Sequence, residues 1–385
     1  MKKEKNVLLL GLVSFINDTS SKIIEPLLPL FIASLGGGGI AIGLISGLSE
    51  SVAAIFKMLS GYWGDKLQKR KGFVFGGYLT SALAKFGLAF STVWGLVLAL
   101  KSVERLGKGL RSAPRDAILA SSVDKEKRGK YFGIHRAFDS GGSVLGSLLA
   151  LLLFWYLGMS FKMLFIIAGI LGIFSVLPVL FVKEKKVVPE QKFSFKVGWK
   201  EMNKELKWFF IISAMFALAN FSYMFFVLRV QDFFTGSLLV GGPLLFYIIY
   251  QVSYTVMAVP AGFLSDRIGR RKVLMLGYGS FILVCLGFIF FDKFWHFIIM
   301  FLLYGLMYAL VNSTERAYVS DLAPRNIRGT ALGTYYLFTS LAVLPGGLIA
   351  GLLWDLSKIY TFSYGIALGV IVLFLFWVAV RENEH

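Results

Sequence analysis

Apolar runs of about 20 residues or more recur along the whole chain, each long enough to cross a hydrocarbon core roughly 30 Å thick, and shorter polar stretches separate them. The pattern predicts twelve helical spans, at about 6–34, 41–64, 73–92, 95–121, 131–156, 161–182, 206–233, 240–264, 273–291, 295–319, 329–354 and 360–380. An all-α, polytopic membrane protein is therefore expected. The longest polar interruption, 183–205, is predicted to be a linker between an N-terminal six-helix bundle (1–182) and a C-terminal one (206–385).

One stretch breaks the apolar pattern. Val103 to Ala120 carries Glu104, Arg105, Lys108, Arg111, Arg115 and Asp116. At roughly 100° per residue, Glu104, Lys108, Arg111 and Arg115 fall on one arc of about 60°. Each charge facing lipid at a helix centre would cost about 2.5–3.5 kcal/mol, so the stripe must face protein or water. The same holds for the other charges inside spans, which number nineteen in all and would together cost on the order of 50 kcal/mol if left unpaired.

The net charge of +18 could suggest nucleic acid, but its distribution is topological. With a cytoplasmic N-terminus, 26 Lys and Arg fall in the tail and inner loops and three, Lys162, Lys293 and Lys358, in outer loops. By the positive-inside rule this puts the chain in the cell membrane with both termini cytoplasmic. The basic N-terminus lacks a small-residue cleavage site before Asn17 and Asp18 and is expected to stay as the first span. The one cysteine, Cys285, excludes an internal disulfide and a thiolate metal cluster. Gly36 to Gly39 lacks the Lys-Ser/Thr of a phosphate cradle. No cofactor, metal or catalytic nucleophile is expected, and enzymes are disfavoured.

The two halves repeat. Gly61 to Lys71 (GYWGDKLQKRK) answers Gly262 to Lys272 (GFLSDRIGRRK), and Lys127 to Gly133 answers Ile327 to Gly333, at offsets of 201 and 200 residues. The same offset places Arg115 and Asp116 opposite Glu315 and Arg316. Six-helix halves repeated in parallel are a transporter architecture.

The repeated loop, with Gly61, Asp65, Lys66 and Arg70 in its first copy and Gly262, Asp266, Arg267, Gly269 and Arg270 in its second, resembles the signature of the major facilitator superfamily. The first copy has Gln68 where the family has Gly. Arg105-x-x-x-Gly109 resembles the family's fourth-helix arginine motif, which in proton-coupled members is linked to proton movement. Gly141-Gly142-x-x-x-Gly146 resembles its antiporter motif only in part, because the Gly-Pro pair is missing. The resemblance covers essentially the whole chain and implies a twelve-helix fold and rocker-switch alternating access. On that reading Asp65, Asp266 and the basic residues beside them form a cytoplasmic gate with Arg115, Asp116, Asp139, Glu315 and Arg316.

The remaining candidates follow from spacing. Asp18, Lys22 and Glu25 share a helical face; they form a self-neutralising ladder or line a cavity in which Asp18 exchanges a proton. Glu50, Lys57 and Lys85 sit at depths that meet span 1 or span 4. Glu104, Arg105, Lys108 and Arg111 are placed for substrate or coupling. The second half is aromatic rather than charged: Tyr247, Tyr250, Gln251 and Tyr254 share a face, and Tyr223 and Asn312 add polar groups. These tyrosines pack helices together or supply hydroxyls to a cavity wall. The expected function is secondary, proton-coupled transport of a small, amphipathic organic solute by a monomer, with export, including multidrug efflux, favoured. An organic-anion carrier using the basic N-terminal half is the rival within transport, and a lipid-translocating or sensor protein the rival outside it.

Overall fold

Proline decides where the first span breaks. Helix α1 (Glu4–Ile24) stops before Pro26, which has no N–H to continue the ladder and pushes the preceding residue out of helical geometry, and α2 (Leu28–Ser34) restarts the span with Pro29 in its first turn. This computed structural model describes residues 4–67, 69–123, 128–184, 202–236, 238–324 and 327–379, without the side chains at 4, 65, 128–130 and 240. The next four spans are α3 (Gly39–Leu67), α4 (Arg70–Leu88), α5 (Trp94–Ser121) and α6 (Arg128–Ala150), the last prolonged by a π-helical turn at Leu151–Tyr156. Two spans are again broken pairs: α7 (Phe161–Phe174) with α8 (Leu177–Leu180), and α9 (Lys204–Ala219) with α10 (Tyr223–Gln231). Five long helices complete the chain: α11 (Leu238–Ile268), α12 (Arg270–Phe290), α13 (Phe294–Leu322), α14 (Arg328–Leu356) and α15 (Lys358–Ala379).

Side-chain caps start several of these helices. Ser160 accepts from the Met163 N–H at 3.3 Å, Asn203 from Leu206 at 2.8 Å and Ser222 from Met224 at 3.3 Å. Among the described residues ten spans are long and apolar enough to cross a membrane by composition alone. The two that fall short are α4 and α5, the helices that carry Lys85 and the charged stripe. They pack closely on each other. A Cβ on Gly77 would stand 2.6 Å from the Gly107 carbonyl oxygen, and one on Gly107 2.5 Å from that of Gly77, so only glycine admits this approach.

The helices group into two compact units, residues 1–37 with 48–192, and 38–47 with 193–385. The first has a core of Val7, Leu10, Val13, Val74, Tyr78, Ile118 and Val179. The second is built around aromatic rings, with Phe226 and Phe288 in edge contact at 4.9 Å and Phe221 stacked on Phe226 at 5.2 Å. The beginning of α3 belongs to this second unit. The Asp355 carboxylate accepts from the Gly39 N–H at 2.6 Å and from Ile40 at 3.1 Å, satisfying two otherwise unpaired donors at a helix start.

In the second copy of the repeated loop, Gly269 has φ +94°, a left-handed conformation that disfavours any side chain. Gln68, its counterpart, lies outside the described residues.

Candidate functional site

In the first unit the charges expected to face inward converge into one chain of ion pairs. Lys22 reaches Glu25 at 2.6 Å, one turn along α1. Arg105 on α5 holds Glu25 at 3.3 Å, Glu50 on α3 at 3.3 Å and its neighbour Glu104 at 3.6 Å. Glu104 is bound in turn by Lys101 at 2.7 Å, both side chains about 5% exposed. Three cations and three carboxylates thus neutralise one another across three helices. Lys101 is absent from the sequence candidates although its spacing of three residues from Glu104 signals the pair.

The other cations are not matched in this way. Lys85 on α4 is fully buried and donates to the Asn17 side-chain and main-chain oxygens at 3.1 and 3.3 Å and to Ser20 at 3.1 Å, all neutral acceptors on α1. Arg111 is buried, donates to the Ser81 hydroxyl at 2.5 Å and the Gly77 carbonyl at 3.4 Å, and lies 4.4 Å from the Tyr78 ring centroid. Lys108 is exposed, and among the described residues its ammonium forms no ion pair or hydrogen bond. Asp18 accepts from Asn17 at 3.2 Å and has no ion pair among the described residues; the charges acting on it are Lys108, Arg111, Arg115 and Asp139. Lys57 is exposed on α3. Sequence reasoning did not single out Tyr78 and Ser81, which hold Arg111, because aromatic and hydroxyl residues inside a span carry no pattern of their own.

Toward the ends that bear the repeated loops, Arg115 binds Asp116 at 3.0 Å and the Ser14 hydroxyl at 3.0 Å. Ser14 also contacts Tyr78 at 3.3 Å and His135 at 3.2 Å, and Asp139 lies 3.6 Å from His135 and 3.9 Å from Arg136. A Cβ on Gly61 would stand 3.4 Å from the Ala113 Cβ of α5, and Lys66 lies 5.9 Å from the Tyr62 ring centroid. The Asp65 side chain lies outside the described residues. Arg70 meets an acceptor that sequence reasoning missed: the Glu184 carboxylate caps α4 at the N–H of Arg70, 2.7 Å, and of Lys71, 3.1 Å.

The second unit arranges the corresponding residues differently. Arg270 binds Asp266 at 2.6 Å and Asp321 at 3.0 Å; Arg267 is exposed, and a Cβ on Gly262 would meet open space. Glu315, expected to take up a loop cation, is buried and accepts instead from the hydroxyls of Tyr278 at 2.9 Å and Tyr335 at 2.5 Å. Arg316 is exposed and donates to the Asn312 carbonyl at 2.8 Å. Two phenols meet the hydrogen-bond demand of the buried carboxylate without a cation.

The expected tyrosine face is present and larger than its spacing showed. Tyr250 lies 5.1 Å from Tyr304, 5.6 Å from Tyr308, 5.9 Å from Tyr247 and 6.5 Å from Tyr223, and Tyr254 lies 6.4 Å from Tyr308. Gln251 is buried on the same helix. Six phenols from α10, α11 and α13 therefore form one amphipathic patch.

The whole chain matches known proteins. The sequence model of the Major Facilitator Superfamily matches residues 10–252 and 244–385. An uncharacterized MFS-type transporter of Methanocaldococcus jannaschii is 47% identical over 370 residues, covering 95% of this chain and 93% of that protein. The multi-drug resistance efflux pump PmrA of Streptococcus pneumoniae is 26% identical over 281 residues, 68% of this chain and 67% of the pump. The crystal structure of nucleoside transporter NupG superposes with a TM-score of 0.83 at 18% identity, over 98% of this chain and all of that one, and shows the same fold. With the family's sequence model matched from residue 10 to residue 385 and an MFS-type relative 47% identical over 95% of this chain, the protein belongs to the major facilitator superfamily and is a multi-pass membrane transporter, not an enzyme.

Proposed function

We propose that the chain is a secondary active transporter of a small, amphipathic organic solute, working as a monomer by alternating access and driven by protons. The observation that carries this reading is Asp18: a carboxylate within the first span, in a unit where Glu25, Glu50 and Glu104 are paired, with a single hydrogen bond from Asn17 and no ion pair among the described residues. Such a group can gain and lose a proton without dismantling the Lys22–Glu25–Arg105–Glu104 network that holds α1 to α5. The tyrosine patch of the second unit supplies an apolar, hydroxyl-bearing surface for the body of the solute. The distribution of basic residues supports a cytoplasmic-membrane location with both termini inside. The PmrA relationship favours export.

The test is reconstitution into liposomes with a panel of cationic, neutral and anionic solutes, with and without an imposed pH difference. Wild-type protein should move at least one solute faster when the pH difference is present. Asp18→Asn should remove that acceleration while leaving solute exchange at equal pH. Full retention of the proton-gradient dependence by Asp18→Asn would overturn the role given to it.

A further inference from the structure

Among the described residues within the spans of the first unit, cations outnumber the carboxylates that pair with them. Glu25, Glu50 and Glu104 are taken up by Lys22, Arg105 and Lys101 at 2.6 to 3.6 Å. Asp116 is held by Arg115, and Asp139 has His135 and Arg136 beside it. Of the described cations within the spans, Lys85, Lys108 and Arg111 have no carboxylate partner, and Asp18 is the described carboxylate within the spans that forms no ion pair. Lys85 and Arg111 are turned inward to neutral acceptors, so their charge is solvated by dipoles and not cancelled. Lys108 is the exposed member, and the charges acting on it are Arg105, Glu50, Glu25 and Glu104, all already engaged with one another. A solute bearing a cation would meet this surplus as repulsion; an anion would complete it.

From this balance we propose that the transported solute carries an anionic head group of the carboxylate or phosphate class, bound directly by the Lys108 ammonium. Arg111 and Lys85 act on it from behind through their uncompensated charge. The inference rests on the transport reading above and adds the substrate class. Asp18, sharing the same field, then competes with the head group for the cations. Binding of the anion and protonation of Asp18 favour each other, which is the coupling a proton-driven carrier of anions requires.

The experiment uses full-length protein, purified and in liposomes, with solutes matched in shape but not in charge: benzoate and phenyl phosphate as anions, benzamide as the neutral form and benzylamine as the cation. Thermal stabilisation and equilibrium binding should rank one or both anions above benzamide and benzylamine. Lys108→Gln should weaken anion binding by about tenfold or more, and Lys108→Arg should keep it. Benzamide or benzylamine binding as well as the anions, an unchanged Lys108→Gln, or no binding by any of the four would overturn the proposal. Anion binding that is lost in Lys108→Gln, with no solute entering liposomes under any gradient, would uphold the anion site and overturn the transport reading instead.

Discussion

Glu104→Gln removes one charge from the middle of the first unit while keeping the side chain's length. Glu104 stands 2.7 Å from the Lys101 ammonium, a distance worth about 6 kcal/mol of attraction at an effective dielectric of about 20. Arg105 would keep Glu25 and Glu50, each at 3.3 Å, so the loss falls on Lys101, which is buried. Breaking a buried pair from one side costs about 3–5 kcal/mol, because the remaining ion stays desolvated and uncompensated. The expected destabilisation is therefore about 4 kcal/mol, read as a loss of unfolding free energy of the purified protein in mixed micelles. Adding Lys101→Met removes the stranded charge, and the double variant should return to within about 1 kcal/mol of wild type. A Glu104→Gln protein as stable as wild type, or a double variant no better than the single, would refute the pairing. Transport by the double variant then separates two roles: activity retained makes the pair scaffolding, and activity lost in a stable protein makes Glu104 part of the solute or proton path.

Asp266→Asn leaves Arg270 with Asp321, and because the lost pair is exposed it should change stability by less than about 1 kcal/mol. Its transport rate in liposomes should nevertheless fall, and an unchanged rate would count against a gate at this loop. Asp355→Ala strips the acceptor from the Gly39 and Ile40 N–H groups, a cap worth about 1 kcal/mol. Hydrogen exchange at these two amides should quicken, and unaltered exchange would mean that the carboxylate does not hold the helix start.

The spans were legible because lipid leaves the backbone few alternatives to a helix, and even the charge-rich α5 could be assigned by asking where a charged stripe can point. Its partners were legible only in part. Lys22 with Glu25 follows from spacing along the chain, whereas Arg105 reaching Glu25 and Glu50 depends on how α1, α3 and α5 rotate about their axes, which close approaches such as that of Gly109 on α5 to the Ala53 carbonyl on α3 constrain. Glu315 shows the limit most clearly. Its place opposite Arg115 in the repeat suggested a shared role at a gate, but the two halves have diverged around it, and Tyr278 and Tyr335 come from helices whose phenylalanines and tyrosines look alike in sequence. Six tyrosines meet as one patch, of which three, Tyr247, Tyr250 and Tyr254, lie on a face that spacing alone could group.

The end of the first bundle lies slightly later than its hydrophobic pattern indicates. Asn6 and Lys183 exchange two hydrogen bonds, at 2.8 and 3.0 Å, and the next residue, Glu184, caps α4. A half-protein cut after 182 would therefore lose a clasp on α1 and the cap at the start of α4. One cut after Glu184 would keep both, and any attempt to produce the two halves separately and recombine them should place the scissors there.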